Sequence, residues 1–305
     1  IMLEIYQRFF IMSIMRVTRA RTLGFCAGVR RAVELAMEAA GNAKQGEEKR
    51  LFTIGPLIHN GWALRKLSEA GFSMLDEDSL PRDLSLSFTV IRAHGVTPDT
   101  RAALLQRGTE IIDATCPKVR KSQLKARYLY ENGFTVFIAG EKNHGEVRGI
   151  RMFAPGSLVV EGRDEAFEAA KALFSRNSAA KTAIIAQTTI SSAEYEAVYA
   201  AVKAFFPDLA VYNTICRATA ARQNALASLC SVADALVIAG DPASSNTRRL
   251  LAVAENHSKP AWIVPDAGSL PPGLDRFGVI GLSAGASTPD ALIDEIEQEL
   301  KCRAP

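Results

Sequence analysis

Neither sign of charge dominates this chain. Its 305 residues carry 36 Lys and Arg against 33 Asp and Glu, a formal net charge of +3. A nucleic-acid footprint needs clustered basic excess, so composition gives no reason to expect such a partner. Long apolar runs are missing as well, none approaching the roughly 18 residues that a membrane span needs. The most apolar stretch, IMLEIYQRFFIMSIM, is interrupted by Glu4 and Arg8 and has no small-residue cleavage site, which argues against a signal peptide. Cysteines are few: five, at 26, 116, 216, 230 and 302. They are too scattered for a disulfide framework, and their odd number suits a reducing compartment. A cytoplasmic protein without a membrane partner is the expectation.

Several signatures of familiar chemistry are also absent. There is no P-loop, no G-x-G-x-x-G fingerprint and no H-E-x-x-H zinc motif. Residues 281–285, GLSAG, do match G-x-S-x-G, but hydrolases of that type order their triad Ser, acid, His. Here the last histidine, His257, precedes Ser283. The hydrolase reading is set aside.

What the chain does have is core. Hydrophobic residues make up 48% and charged residues 23%, enough apolar surface to offset the ordering entropy of folding. Short β-branched runs alternate with longer segments of helical period. Strands are predicted at LFTI (51–54), FTVIRA (88–93), EIIDA (110–114), FTVFIA (134–139) and TAIIA (182–186). The series continues at LAVYN (209–213), ALVIA (235–239), AWIV (261–264) and GVIGLS (278–283). Helices are predicted over AGVRRAVELAMEAAG, PKVRKSQLKARYLYENG and ARQNALASLCSVA, with Gly41 and Gly133 ending the first two. Continuous apolar strands alternating with helices indicate parallel sheets covered on both faces.

The cysteines mark an internal repeat. Cys26 in TLGFCAGVRRAV, Cys116 in IIDATCPKVRKSQ and Cys216 in VYNTICRATAARQ each follow an apolar strand and precede a basic amphipathic helix. A second element recurs in RAHGVTPDTRAAL, IAGEKNHGEVRGI and IAGDPASSNTRRL, each a strand entering a polar turn and then a helix. The expected fold is α/β: three similar small domains with mainly parallel sheets, arranged pseudo-threefold around a shared centre. The expected divisions are residues 1–14 as an N-terminal extension and 15–115 as a first domain that includes the N-terminal strand. Residues 116–213 form a second domain, and 214–305 a third with the C-terminal tail.

Strand ends and helix starts are where α/β folds place function, because backbone N–H groups and the helix dipole favour anions there. A thiolate is such an anion and a metal ligand. Three cysteines in one structural context, one per repeat, point to a joint site. Without a C-x-x-C pair they do not resemble a structural zinc site. An iron–sulfur cluster normally takes four cysteines, so three leave one iron open to water or substrate, the mark of a catalytic centre. Cys230 reads as core and Cys302 as incidental.

Three histidines occupy polar turns: His59 in GPLIHNG, His94 in RAHGV and His144 in KNHGEV. The third repeat offers Ser244, Ser245 and Asn246, and a further loop carries Ser287. Neutral donors and imidazoles at helix starts suit a phosphate or diphosphate. His257 reads as an exposed residue after a helix. Glu146 has two readings, a dipole-complementing residue or a proton donor beside the cluster. Thr188 and Thr189 either cap the next helix or relay a proton. The basic helix Lys118–Arg127 is either a docking face for an acidic donor or a solvated surface.

In order between residues 24 and 287 the chain contains GFCAGVRRAV, HN, AHGV, DATCP, HGEV, QTT, TICRAT followed by RQ, SSN and AGAS. This set resembles the LytB/IspH family of 4-hydroxy-3-methylbut-2-enyl diphosphate reductases, which carry out the last step of the non-mevalonate isoprenoid pathway. The resemblance implies that Cys26, Cys116 and Cys216 hold a 4Fe–4S cluster whose open iron binds the substrate hydroxyl. It implies that His59, His94, His144, Ser244, Asn246 and Ser287 grip the diphosphate, with Ser245 in the same motif. By the same resemblance Glu146 supplies protons and Thr188 orients the alcohol, with His144 counted in the catalytic set. The implied reaction is a two-electron, two-proton reductive dehydroxylation giving isopentenyl and dimethylallyl diphosphate, with reduced ferredoxin or flavodoxin as donor.

Departures from the family pattern are Gly145, where proline is frequent, and Ala220-Ala221, where bulkier polar residues occur. Residues 1–14 have no counterpart in it, and Met15, 11 residues before Cys26, is the expected start. Removing residues 1–14 is expected to leave cluster and activity intact. Two alternatives remain on sequence alone: a redox-neutral iron–sulfur hydro-lyase acting on a phosphorylated substrate, and a non-catalytic iron–sulfur sensor.

Overall fold

Three parallel sheets of four strands each organise the described residues. The computed structural model describes residues 15–43 and 49–303, so the expected extension over residues 1–14 lies outside the described residues. The described residues open with β1 (Arg16–Arg19), α1 (Ala27–Asn42), β2 (Arg50–Ile54), α2 (Gly61–Glu69), β3 (Phe72–Leu75), β4 (Ser87–Ile91), α3 (Pro98–Gln106) and β5 (Glu110–Asp113). Next come α4 (Pro117–Glu131), β6 (Thr135–Ala139), α5 (Gly145–Phe153), β7 (Leu158–Val160), α6 (Arg163–Arg176), β8 (Thr182–Ala186), α7 (Ser192–Lys203) and β9 (Ala210–Val211). The last part is α8 (Arg217–Cys230), β10 (Ala235–Ala239), α9 (Ser245–Asn256), β11 (Ala261–Val264), β12 (Val279–Ala284) and α10 (Asp290–Cys302).

Strand order is β3-β2-β4-β5 in the first sheet and β7-β6-β8-β9 in the second. The third, β11-β10-β12-β1, repeats that order with β1 in the edge position that β5 and β9 hold elsewhere. The N-terminal strand, expected with the first domain, therefore belongs to the third sheet, where Arg16–Arg19 run parallel to Val279–Leu282. This non-local pairing closes the three units into a ring.

Each cysteine follows one edge strand and begins the helix that covers the next sheet. Helix α1 lays Ala32, Ala36, Ala39 and Ala40 against a core with Leu51 and Val90 of the first sheet. Helix α4 places Ala126 and Leu129 against Val136 and Ile138, and α8 packs Leu226 and Leu229 on Leu236 and Ile238. Small residues let α1 approach its sheet closely, while each buried Leu or Ile contributes about 1.5–3 kcal/mol of transfer free energy. The central strands β4, β8 and β10 are buried along their whole length, as parallel strands covered on both faces must be. The three cysteines thus sit at the seams of the ring.

Two expected helix ends differ. Gly133 does follow α4 with a left-handed φ of +77°, but Gly41 lies inside α1, which ends at Asn42 with Ala43 as its C-cap. Edge strands β3 and β7 are additional to the strands read from sequence; at four and three residues they are too short to show a period. Among the described residues no helix is long and apolar enough to cross a membrane.

Candidate active site

Cys26, Cys116 and Cys216 are the N-cap residues of α1, α4 and α8. Their backbones are held alike: Cys26 N–H donates to Ala286 O at 3.1 Å, Cys116 N–H to Ala93 O at 2.9 Å and Cys216 N–H to Thr188 O at 2.9 Å. Each accepting carbonyl lies on, or next to, a second site residue: Ser287, His94 and Thr188 itself. Only Cys26 uses its sulfur as a cap, accepting from Val29 N–H at 3.4 Å. The other two sulfurs make no capping bond.

A tight approach joins the first two seams. A Cβ on Gly28 would stand 2.6 Å from Cys116 Sγ and 3.9 Å from Cys26 Sγ, so any side chain there would displace the Cys116 sulfur. Burial pushes the Cys116 thiol up, and the nearby Cys26 and Cys216 sulfurs push it further, against the N–H groups of Lys118 and Val119. A buried thiol whose ionisation is opposed in this way suits a cationic iron centre, which would stabilise its thiolate. Cys230 is buried in the core, and Cys302 is exposed at the end of α10.

Three imidazoles line the same cavity as the sulfurs. Ring centroids are 5.0 Å apart for His59 and His94, 4.9 Å for His94 and His144 and 6.1 Å for His59 and His144. His144 caps α5, its Nδ1 accepting from Glu146 N–H at 3.2 Å, which leaves Nε2 as the donor in the neutral ring. Burial lowers the affinity of all three for a proton, His94 strongly and His144 to about 4. Neutral N–H donors are the result.

Ser244 caps α9, accepting from Thr247 N–H at 3.4 Å. Asn246, on the same first turn, is buried with both amide atoms unpartnered among the described residues. A buried amide without partners is costly unless a ligand completes it. Ser287 Oγ donates to His59 O at 2.8 Å and fixes that loop. Ser245 is placed differently: its hydroxyl donates to Glu141 Oε1 at 2.5 Å and also meets Arg249. Arg249 in turn bonds Glu141 at 2.8 Å and Glu194 at 3.2 Å, so this network ties the second unit to the third.

Glu146 is 1% exposed. Its carboxylate accepts the Thr188 N–H at 2.6 Å and the Thr188 hydroxyl at 2.8 Å. Burial raises its pKa to about 7, although both Thr188 bonds and the field of Arg249 favour the ionised form. Thr188 is therefore no helix cap; Ser191 caps α7, in a reciprocal box with Glu194. The twelve residues that the family resemblance assigns to the site all line one central cavity. Gly28 and Arg222 were not singled out, although both lie inside quoted motifs, GFCAGV and RQ.

Fold and site together define an α/β protein whose three units converge on thiols, neutral imidazoles and a buried carboxylic acid. The chain belongs to the LytB family: the family model described as LytB protein matches residues 17–301. It is 43% identical over 293 residues to the 4-hydroxy-3-methylbut-2-enyl diphosphate reductase of Treponema denticola, covering 94% of this chain and 99% of that protein. The reductase of the same name from Treponema pallidum (strain Nichols) is 36% identical over 316 residues, covering 93% and 83%. Among solved structures, the E-1-hydroxy-2-methyl-but-2-enyl-4-diphosphate reductase from Plasmodium falciparum superposes with a TM-score of 0.83 at 25% identity, covering 93% of this chain and 87% of that one. A structure of (E)-4-hydroxy-3-methyl-but-2-enyl diphosphate reductase, the terminal enzyme of the non-mevalonate pathway, gives a TM-score of 0.67 at 32% identity, covering 94% and 99%.

Proposed function

We propose that this protein reduces (E)-4-hydroxy-3-methylbut-2-enyl diphosphate to isopentenyl and dimethylallyl diphosphate, the last step of the non-mevalonate pathway. The observation that carries this reading is the convergence of three N-cap cysteines, three neutral histidines and buried Glu146 on one cavity, in a chain of the LytB family. The units that meet there divide near residues 115 and 213, with β1 assigned to the third.

Cys26, Cys116 and Cys216 would hold a 4Fe–4S cluster, and Gly28 leaves the room their sulfurs need. When bound, that cluster supplies electrons and a Lewis-acidic iron for the allylic hydroxyl. His59, His94 and His144 donate neutral N–H groups to the diphosphate. The starts of α5 and α9, with Ser244 and Asn246, add the positive ends of two helix dipoles. Ser287 keeps His59 in place. Binding energy from the diphosphate, remote from the breaking bond, positions the substrate.

Two electrons and two protons are consumed. The C–O bond breaks, its oxygen leaves as water with one proton, and the second proton goes to carbon. Glu146 is the proton source, since a carboxyl with a pKa of about 7 is half protonated at neutral pH. Thr188 fixes the orientation of that carboxyl and presents its hydroxyl to the alcohol. The electron donor is a ferredoxin or flavodoxin, and the compartment is the cytoplasm, where unpaired thiols persist.

Anaerobically reconstituted protein, supplied with reduced viologen and the allylic diphosphate, should release both products and need the reductant to do so. Turnover that proceeds equally without reductant would instead indicate a hydro-lyase. Tight loading with iron but no affinity for the diphosphate would indicate a sensor.

A further inference from the structure

Arg222 lies on the second turn of α8, six residues after Cys216, and is 4% exposed. Its Nε and Nη2 both donate to Gly24 O, at 3.1 and 2.6 Å, and its Nη1 to Ala218 O at 2.8 Å. All three bonds go to neutral carbonyls. Among the described residues no carboxylate lies within ion-pair distance of it; the other buried arginine, Arg92, has Glu77 at 2.7 Å.

A desolvated cation without a counter-ion is expensive, and carbonyl dipoles offset only part of the cost. Burial weakens the hold of Arg222 on its proton, and the groups that oppose this are the sulfurs of Cys26 and Cys216. The contacts point the same way. Gly24 stands two residues before Cys26, so the guanidinium fork spans from the helix that begins at Cys216 to the loop that carries Cys26.

We infer that Arg222 is the buried counter-charge of the three-thiolate centre, joining two of its cysteine loops and raising its reduction potential. This rests on the iron–sulfur reading above. One electron taken from a low-potential donor adds one negative charge to a centre that already carries three thiolates. A fixed cation in a low-dielectric interior stabilises that added charge, and net charge is a main determinant of iron–sulfur potentials. Arg222 does not line the cavity; it acts through Cys26 and Cys216 as a positioning residue.

The test is an EPR-monitored potentiometric titration of the full reconstituted chain as wild type, R222Q and R222K, with dithionite as reductant. R222Q should hold iron yet shift the reduction equilibrium at least tenfold toward the oxidised form, about 59 mV for one electron. R222K, which keeps the charge and loses the fork, should shift it less. Circular dichroism of each variant establishes that it is folded. Iron-loaded R222Q with the wild-type potential would overturn the inference, and so would equal loss of iron from both folded variants. Iron held by R222K but not by folded R222Q supports it. Where R222Q does not fold, R222K decides: a potential within tenfold of wild type supports the counter-charge, and a larger shift overturns it. Wild type that binds no iron would remove the cofactor reading itself, a result distinct from an unshifted R222Q.

Discussion

Thr188 holds Glu146 at two points, through its backbone N–H at 2.6 Å and its hydroxyl at 2.8 Å, and both residues are buried. Both bonds favour the ionised carboxylate, yet burial still leaves the acid with a pKa of about 7. A group that donates a proton must start protonated, so turnover should fall as pH rises through about 7. Glu146→Gln should keep the iron centre and lose about 10²-fold or more in turnover; near-normal turnover would exclude Glu146 as the proton source. Thr188→Val removes only the hydroxyl bond, which should move the alkaline limb of the pH–rate profile upward. A limb that moves downward would contradict this coupling.

The same carboxyl makes a stability prediction of definite sign. Its pKa is raised in the folded state, so the fold loses stability as pH rises from the unfolded value near 4.5 to about 7. Wild type should therefore lose ground to Glu146→Gln across that window, by on the order of 3 kcal/mol at pH 8. Denaturant unfolding of both proteins at pH 4.5 and pH 8 measures it. A constant difference would show that Glu146 titrates normally.

The histidines slope the other way. Their folded-state pKa values lie below the ordinary 6.5, so their contribution is present above pH 6.5 and is lost as pH falls, for His144 through about 4. His144→Asn keeps an N-cap side chain and removes one of the three titrations. Its unfolding midpoint should vary less between pH 4 and 6.5 than that of wild type. An identical acid slope would mean that His144 is not held neutral by the fold.

Gly28 gives a sharper steric test. Alanine there puts a methyl 2.6 Å from Cys116 Sγ, while its intrinsic helix propensity is better by about 1 kcal/mol. Gly28→Ala should leave apo-protein helicity and melting near wild type and retain less than roughly half of the iron, because displaced sulfurs cannot all ligate. Full iron content in that variant would show that the seam between α1 and Cys116 has slack.

Where the sequence is legible and where it is not follows from locality. A cysteine after an apolar run and before a basic helix is a local pattern, and all three occurrences are N-caps at strand–helix junctions. The pairing of β1 with β12 spans most of the chain, and four residues, RVTR, carry no signal of their partner. Thr188 looks like a helix cap because Ser191, three residues on, is an equally good one; only the buried carboxylate across the seam distinguishes them. Arg222 reads as one more basic residue of an amphipathic helix until its burial is known. Gly28 looks like a mere neighbour of Cys26 until Cys116 is seen behind it. Chemistry that depends on residues of one loop can be read from the chain, whereas chemistry that depends on the closing of the ring cannot.

Cys26, Cys116 and Cys216, at the seams of that ring, would hold an iron–sulfur cluster and leave one of its irons without a cysteine ligand for the substrate. Mössbauer spectroscopy of protein reconstituted with ⁵⁷Fe, before and after the allylic diphosphate is added, tests this most directly. The expected result is one iron site distinct from the others, whose parameters change on addition of the diphosphate while the rest stay fixed. Equivalent iron sites that ignore the diphosphate, or the same spectrum from Cys116→Ser, would contradict it.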